Sequence, residues 1–238
     1  MKKFLSLGSQ PLANSYIKKS NLKRREKKFK LEVGFNKRNY LVSIINTVPK
    51  EKMFNNQYPY KSSESKTMRK SFKNLAKKIK KKYRPKFVIE IGSNDGAFLK
   101  NFSKNIAIGV EPCKNLANIT TKMKIKTYDK FWTMHLSKKI SNRHGKFDII
   151  YSANTISHIH NLEETFKAIE NSLTLGGIFI LEDPSLLKSL QKTSYDQFYD
   201  EHAYVFSITA LKNITKETGL EIFNIEELKT HGGSNRVY

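Results

Sequence analysis

The architecture follows from one segment, Phe87-Val88-Ile89-Glu90-Ile91-Gly92-Ser93-Asn94-Asp95-Gly96-Ala97-Phe98-Leu99. Residues 88–91 are apolar except for one glutamate, which predicts a strand buried on both faces of a sheet. Gly92 and Gly96 let the backbone turn tightly and approach a ligand before a helix that begins near Ala97. The segment therefore predicts a cofactor-binding loop between a strand and a helix.

The glycine spacing of this loop, Glu90-x-Gly92-x-x-x-Gly96, favours S-adenosylmethionine over a dinucleotide. A dinucleotide loop uses three glycines, so that a pyrophosphate can rest on the N-terminus of the helix. Asn94 stands where the middle glycine would be. For this loop taken by itself, an ordinary strand-to-helix turn is the alternative.

A second apolar run, residues 106–110, ends in Glu111, 19 residues after Gly92. A carboxylate at the tip of the second strand can accept hydrogen bonds from both hydroxyls of a ribose. The loop and this carboxylate together predict a site for S-adenosylmethionine.

Composition and length limit the class of protein. A chain of 238 residues with 38% hydrophobic residues can form one domain, or one domain with a smaller companion. No apolar run approaches the roughly 18 residues that span a bilayer, and residues 4–7 are too short for a signal-peptide core, so we expect a cytoplasmic protein without a membrane partner. The single cysteine, Cys113, excludes an internal disulfide and a cysteine-built zinc cluster.

Positive charge is concentrated in the N-terminal third of the chain. Residues 1–86 hold 26 lysines and arginines against four acidic residues, whereas residues 87–238 hold 18 against 17. Such a field attracts nucleic acid, anionic lipid or a phosphorylated small molecule, and charge does not choose among them. A lysine-rich, solvated surface without a partner is the alternative.

Strands alternate with helices from residue 87 onward, which predicts a parallel sheet covered on both sides. The predicted strands are 87–91, 106–111, 124–128, 147–152 and 177–182, and the predicted helices are 95–104, 114–122, 132–142, 161–174 and 207–218. In front of them we expect an ordered loop in residues 1–20, a small hairpin within residues 30–45, and a helix with apolar positions Phe72, Leu75, Ala76, Ile79 and Tyr83 that Pro85 stops.

Ligands of open parallel sheets bind beyond the carboxyl ends of the strands, which draws attention to the residues that follow them. Asn154 and His158 come after the fourth strand. Residues 195–204 contain three acids, three tyrosines and one histidine, His202. This density suits proton transfer, because an imidazole can act as base while a carboxylate orients it and a phenol stabilises charge. A polar loop with a structural histidine is the alternative.

Seven pieces of the chain carry a resemblance to a known family. They are Leu7-Gly8-Ser9-Gln10-Pro11-Leu12-Ala13-Asn14, Tyr58-Pro59-Tyr60 with Ser62, Ser63 and Ser65, Glu90-Ile91-Gly92-Ser93-Asn94-Asp95-Gly96, Gly109-Val110-Glu111-Pro112, Asn154 with His158, Phe198-Tyr199-Asp200-Glu201-His202, and His231-Gly232-Gly233-Ser234-Asn235-Arg236-Val237-Tyr238. With them the chain resembles, almost end to end, the S-adenosylmethionine-dependent C-methyltransferases that act on keto-deoxysugars attached to a nucleoside diphosphate. The Tyr-x-Glu-His and His-Gly-Gly-Ser pieces are the most specific.

The resemblance implies an α/β fold: a class I methyltransferase domain with a Rossmann-like parallel sheet over residues 70–238, and a small basic substrate-binding subdomain over residues 1–69. It implies that the cofactor S-adenosylmethionine is bound by Glu90, Gly92, Ser93, Asn94, Gly96, Glu111, Pro112 and Asn154. Asn14 and Tyr60 are the residues expected to contact the substrate.

The resemblance also implies a mechanism. A base removes a proton from the carbon next to a sugar ketone, and the resulting enolate attacks the sulfonium methyl group. We expect His202 to be the base, Glu201 and Tyr199 to orient it and stabilise charge, and His158 to contact the sugar. The basic residues of 1–86 would attract the diphosphate of the substrate.

Two departures from the family qualify this interpretation. The family binds zinc through paired cysteines in its N-terminal domain, whereas Phe35-Asn36-Lys37-Arg38 stands where a Cys-x-x-Cys is expected, so we predict a metal-free subdomain. Family members also continue into a further α/β domain after His-Gly-Gly-Ser, whereas this chain ends at Tyr238, so we expect a shortened enzyme, a fragment or a descendant without activity. The remaining alternatives are methylation of another small molecule or RNA, and a non-catalytic nucleic-acid-binding or sensor protein, although we do not expect nucleic acid as a partner.

Overall fold

The structure is a computed structural model that describes residues 1–238. In chain order its strands are β1 (Lys2–Gln10), β2 (Phe29–Asn36), β3 (Leu41–Ile44), β4 (Val88–Ile91), β5 (Ala107–Val110), β6 (Lys126–Tyr128), β7 (Phe147–Ala153), β8 (Leu173–Pro184), β9 (Tyr204–Val205), β10 (Ile225–Leu228) and β11 (Ser234–Val237). Its α-helices are α1 (Lys50–Met53), α2 (Lys66–Tyr83), α3 (Lys114–Lys122), α4 (Met134–His144), α5 (Leu162–Ser172), α6 (Leu186–Gln191) and α7 (Ile208–Thr215).

The larger of two sheets has seven strands in the order β10-β11-β8-β7-β4-β5-β6. The five strands from β4 to β8 pair in parallel, and β11 and β10 add an antiparallel edge. Parallel neighbours need long crossover connections, and the helices between these strands supply them. The predicted parallel sheet is therefore confirmed, and each predicted strand lies within a few residues of an observed one.

Helices cover β4 on both faces. Val88 packs in a cluster with Phe72 and Ile79 of α2, whereas Ile89 and Ile91 belong to the cluster that contains α4 and α5. Helix α2 begins after Ser65, whose hydroxyl caps it, and its apolar side chains recur with helical spacing on the face that is buried.

One predicted helix is wrong. Residues 95–104 contain only a single 3-10 turn, Leu99–Asn101. Asn94 and Gly96 have φ values of 49° and 77°, which an α-helix cannot continue through. Phe98 then packs against Phe102 and into the core, and this packing replaces the regular helix.

The loop expected over residues 1–20 is also wrong in part, because β1 occupies residues 2–10 and pairs antiparallel with β2. This is an edge strand whose side chains are mostly exposed, so it lacks the buried alternation that marks strands in a sequence. The strands β10 and β11 were not predicted either, since their residues 225–228 and 234–237 are largely polar. The hairpin expected within residues 30–45 is confirmed as β2 and β3.

The second sheet joins the N-terminal strands to a short strand from residues 204–205, with the order β1-β2-β3-β9. Strand β9 pairs with β3 through Val42 opposite Val205 and Ser43 opposite Tyr204, and the amide of Ile44 donates to the carbonyl of Ala203 at 2.9 Å. The N-terminal hairpin therefore holds the residues directly after His202. The division into residues 1–69 and 70–238 stays a prediction.

No helix is both long enough and apolar enough to cross a membrane. The cytoplasmic location stays a prediction from the sequence.

A buried ion pair holds the antiparallel edge of the large sheet. The guanidinium of Arg236 in β11 donates to Glu182 of β8 at 2.6 Å and to Glu226 of β10 at 2.9 Å. The Arg236 and Glu182 side chains are only 8% and 3% exposed. Removal of one partner would leave the other charge buried without compensation.

Arg236→Leu should lower the free energy of unfolding by about 3–5 kcal/mol, because the Glu182 carboxylate loses its buried counter-charge. Urea denaturation followed by circular dichroism measures this change. Lys167→Ala, which removes only an exposed pair with Glu163, should change stability by less than about 0.5 kcal/mol. Equal effects of the two substitutions would contradict the assignment.

Candidate active site

A cavity of about 280 Å³ opens where β4, β5, β7 and β8 end. Eleven of the fourteen predicted site residues line it: Asn14, Tyr60, Glu90, Gly92, Asn94, Glu111, Pro112, Asn154, His158, Tyr199 and His202. Ser93, Gly96 and Glu201 are not among its lining residues. The cavity thus brings together residues from the N-terminal segment, the strand tips and the 195–204 loop.

The loop after β4 requires glycine at its first position. Gly92 has a φ of 72°, and a Cβ atom there would lie 2.1 Å from the hydroxyl of Thr155. A side chain at residue 92 would therefore collide with the segment that follows β7. Gly96, with a φ of 77°, has Thr120 3.0 Å from the place of its missing Cβ.

Asn94 has a specific role at the position where a dinucleotide loop has glycine. It adopts the left-handed conformation, which asparagine tolerates better than most residues. Its side-chain oxygen accepts from the amide of Ser62 at 2.9 Å, and its side-chain nitrogen donates to the carbonyl of Tyr60 at 3.1 Å. The side chain therefore ties the loop to the segment in front of α2.

Glu111 is buried at the tip of β5 with both carboxylate oxygens already bonded. One oxygen accepts from the amide of Asn94 and the other from the amide of Cys113, each at 2.8 Å. Burial raises the pKa of this carboxyl group, and the two amide donors oppose that shift. A carboxylate offers about four acceptor sites, so roughly two remain for ligand hydroxyls.

Three buried polar atoms of cavity-lining residues have no hydrogen-bond partner: Oε2 of Glu90, Nε1 of Trp132 and Nε2 of His158. Burial, together with the nearby carboxyl groups of Glu111 and Asp95, raises the pKa of Glu90 well above its usual range. Unpaired buried polar atoms are rare in folded proteins, and a bound ligand with its own donors and acceptors would satisfy these. The carboxyl group of Glu90, the indole N–H of Trp132 and the carboxylate of Glu111 fit an adenosyl cofactor that also carries positive charge.

His202 is held as a neutral imidazole with a defined tautomer. Its Nδ1 lies 2.9 Å from the carbonyl of Gln197, which can only accept, so Nδ1 carries the proton. Its Nε2 then accepts from the hydroxyl of Tyr199 at 3.1 Å. Burial lowers the pKa of His202 to about 4, so the ring is uncharged at neutral pH.

The structure corrects the expected partner of His202. The Glu201 carboxylate has no hydrogen bond to this imidazole, and it accepts instead from Asn14 at 2.7 Å and from the hydroxyl of Tyr58 at 2.8 Å. Successive residues in this loop point to different neighbours, so adjacency in sequence does not bring Glu201 to His202. The carbonyl of Gln197 orients the ring, and Glu201 anchors the N-terminal segment to the loop.

His158 lies between an aromatic ring of the N-terminal part and the ring of His202. Its ring stacks on Phe54 with centroids 5.3 Å apart, and the ring of His202 is 5.1 Å away. Its Nε2 is buried without a partner, and burial together with the neighbouring His202 lowers its pKa well below the usual range. His158 is therefore a neutral ring with a polar atom available to a ligand.

Several cavity-lining residues were not predicted as site residues, among them Lys50, Phe54, Tyr58, Trp132, Gln197 and His231. Trp132 is the only tryptophan and follows β6 closely, which was a usable signal. His231 lies 3.1 Å from the side-chain nitrogen of Asn154, and it belongs to the His-Gly-Gly-Ser piece already singled out. The role of Gln197 comes from its backbone carbonyl, which no sequence pattern reveals.

The sheet order, with the glycine loop after β4 and the carboxylate at the tip of β5, is that of the Rossmann-like fold of class I methyltransferases, whose cofactor is S-adenosylmethionine. Residues 60–225 match the family model of a methyltransferase domain. The chain therefore belongs to the methyltransferase domain family.

Solved structures support the fold alone, because their sequences are distant. An S-adenosylmethionine-dependent methyltransferase from Clostridium acetobutylicum superposes with a TM-score of 0.55 at 16% identity, over 71% of this chain and 89% of that one. Magnesium protoporphyrin IX methyltransferase from Synechocystis with bound S-adenosylhomocysteine gives a TM-score of 0.53 at 11% identity, over 71% of this chain and 81% of that one.

The C-methyltransferase NovU of Streptomyces niveus is 26% identical over 98% of this chain, which covers 57% of NovU. This chain therefore spans a little more than half the length of that relative. Residues 1–54 match the family model of a zinc binding domain. These residues contain no cysteine, histidine or aspartate, and the structure contains no group of three or more side chains that could hold a metal ion. The absence of zinc stays a prediction.

Glu111→Ala should weaken the binding of S-adenosylhomocysteine about tenfold or more, which is the loss expected for hydrogen bonds to a charged group. Calorimetry measures the affinity, and circular dichroism checks that the variant is folded. Asp129→Ala is the matched control, because this exposed acid follows β6 and does not line the cavity. Unchanged affinity in a folded Glu111→Ala variant would exclude the assigned role.

Proposed function

We propose that the protein transfers a methyl group from S-adenosylmethionine to a carbon next to the ketone of a nucleoside-diphosphate deoxysugar. The observation that supports this most is the Tyr199–His202 pair, which lines the same cavity as the loop after β4. The resemblance of the sequence to sugar C-methyltransferases and the likeness to a protein named as a C-methyltransferase agree with it.

S-adenosylmethionine supplies an electrophilic methyl group when bound, and its sulfur keeps the electron pair of the broken carbon–sulfur bond. Glu90, Gly92, Asn94, Glu111 and Asn154 are the proposed holders of the cofactor, with Pro112 beside them in the cavity wall. Ser93 and Gly96 act indirectly in this proposal, because they shape the loop from outside the cavity lining.

The substrate carbon must become a nucleophile, and a ketone next to it makes its proton acidic enough to remove. Nε2 of His202 takes this proton, and the electron pair of the C–H bond passes to the ketone as an enolate. Once Nε2 is protonated it no longer accepts from Tyr199. The hydroxyl of Tyr199 can then donate its proton in a hydrogen bond to the enolate oxygen. Protonation of His202 therefore also makes available the donor that stabilises the negative charge of the enolate.

The tyrosine suits this role because it stays protonated. Burial and the nearby carboxylates of Glu201 and Asp200 raise the pKa of Tyr199 above its usual value. The buried Nε2 of His158 and the cavity-lining side chains of Asn14 and Tyr60 are the proposed polar contacts to the sugar. In this proposal Glu201 acts through Asn14 and Tyr58 and does not touch the substrate.

A methyl-transfer assay against a panel of nucleoside-diphosphate keto-sugars tests the function. With a ¹³C-labelled methyl donor, we expect a new carbon–carbon bond next to the ketone of at least one sugar. Parallel reactions with RNA and with unrelated small molecules test methylation of another substrate. Nucleic-acid affinity that falls steeply with salt, without turnover of any sugar, would favour the binding-protein alternative.

His202→Ala should lower methyl transfer by at least about 100-fold, the usual contribution of a general base, and should also stop exchange of the reacting proton with deuterated solvent. Affinity for S-adenosylhomocysteine should be nearly unchanged. His135→Ala, at an exposed histidine of α4, is the matched control. Normal deuterium exchange in His202→Ala would show that another group is the base, and Tyr199→Phe would then test the next candidate.

A further inference from the structure

Lys50 is the only lysine or arginine that lines the cavity, although the chain contains 44 such residues. It is half-buried at the start of α1, and its ammonium group lies 4.4 Å from the centre of the Phe131 ring. It forms no ion pair with any carboxylate. Lys50 therefore places a positive charge in the cavity wall that no carboxylate pairs with.

The helical turn that begins at Lys50 fixes its position relative to the catalytic histidines. The amide of Phe54 donates to the carbonyl of Lys50 at 2.8 Å, so the two residues are one turn apart on the same side. Side chains with this spacing have Cβ atoms about 5–6 Å apart. Because Phe54 stacks on His158, Lys50 lies one helical turn from the ring that contacts the histidine pair.

The acidic and basic side chains of the cavity come from different parts of the chain. The carboxyl groups of Glu90 and Glu111 come from β4 and the tip of β5, where the cationic cofactor is expected, whereas Lys50 comes from the N-terminal part of the chain. Glu51, the nearest acidic neighbour in sequence, is exposed and does not line the cavity. An anionic group of a ligand would find its counter-charge only at Lys50.

We propose that Lys50 binds the diphosphate of the substrate and thereby places the attached sugar beside His158 and His202. This inference rests on the proposed function. It assigns phosphate recognition to one side chain rather than to the general positive field of residues 1–86. A lysine ammonium on an aromatic ring can turn toward a phosphate without breaking an ion pair, so recognition costs little reorganisation.

Calorimetry with UDP, TDP, pyrophosphate and the parent nucleosides tests the proposal, with the protein saturated in S-adenosylhomocysteine. Lys50→Ala should weaken the tighter-binding nucleoside diphosphate about tenfold or more, the loss expected for a charge-assisted hydrogen bond, and should leave nucleoside binding within about twofold. Lys50→Arg should restore most of the affinity. Lys52→Ala is the matched control, because this exposed residue of the same helix lies over Phe29 and removes the same charge away from the cavity.

Equal losses of nucleoside-diphosphate affinity in Lys50→Ala and Lys52→Ala would overturn the proposal and favour a diffuse positive field. The proposal would also fail if the wild-type protein bound nucleosides and their diphosphates equally, or bound no phosphorylated probe. Methyl transfer separates this outcome from the fate of the proposed function. Phosphate-dependent binding through Lys50 without methylation of any keto-sugar would support the phosphate site and contradict the proposed function. Methylation of a keto-sugar with an unchanged KM in Lys50→Ala would support the proposed function and contradict the phosphate site at Lys50.

Discussion

Complete burial of β4 is the constraint on which the rest of the structure depends. Its four residues are at most 3% exposed, so neither face of the strand can border water. Helix α2 must cover one face and α4 and α5 the other, and the neighbours β5 and β7 must be parallel so that helices can return between them. The carboxyl ends of these strands then meet at one edge, which is where the cavity opens.

The N-terminal part of the chain completes that cavity through a few polar contacts. Asn94 binds the segment at Tyr60 and Ser62, and Glu201 binds Asn14 and Tyr58. The first contact holds the loop after β4, and the second holds the loop that contains Tyr199 and His202. The two regions predicted as separate subdomains thus line one cavity together.

Much of the site could be predicted because local sequence determines it. The glycines and acidic residues at the tips of β4 and β5 have fixed places relative to a strand, so the position of Gly92 and Glu111 at the cavity could be predicted from spacing. The partner of His202 could not, because a backbone carbonyl such as that of Gln197 leaves no trace in residue type. Glu201 was misassigned because neighbours along an irregular loop diverge in space.

The errors in the predicted fold also come from contacts that residue type does not reveal. Strands β1 and β10 are the outer strands of their sheets and have no buried residue, whereas β11 is mostly buried but largely polar, so none of them shows the apolar pattern that marks a strand. The helix expected after Gly92 fails because two left-handed residues and the packing of Phe98 outweigh local helical preference. Sequence patterns predict elements that burial controls, and tertiary contacts decide the others.

The pairing of β3 with β9 has a consequence for the order of folding during synthesis. Residues 41–44 leave the ribosome long before residues 204–205, so one edge of the N-terminal hairpin has no partner while most of the chain is still being made. Such an edge is open to pairing with other chains, and a contact between distant parts of a sequence forms slowly. The loop that contains His202 is therefore among the last parts to be fixed, and incomplete chains expose both an unpaired strand and an unfinished cavity.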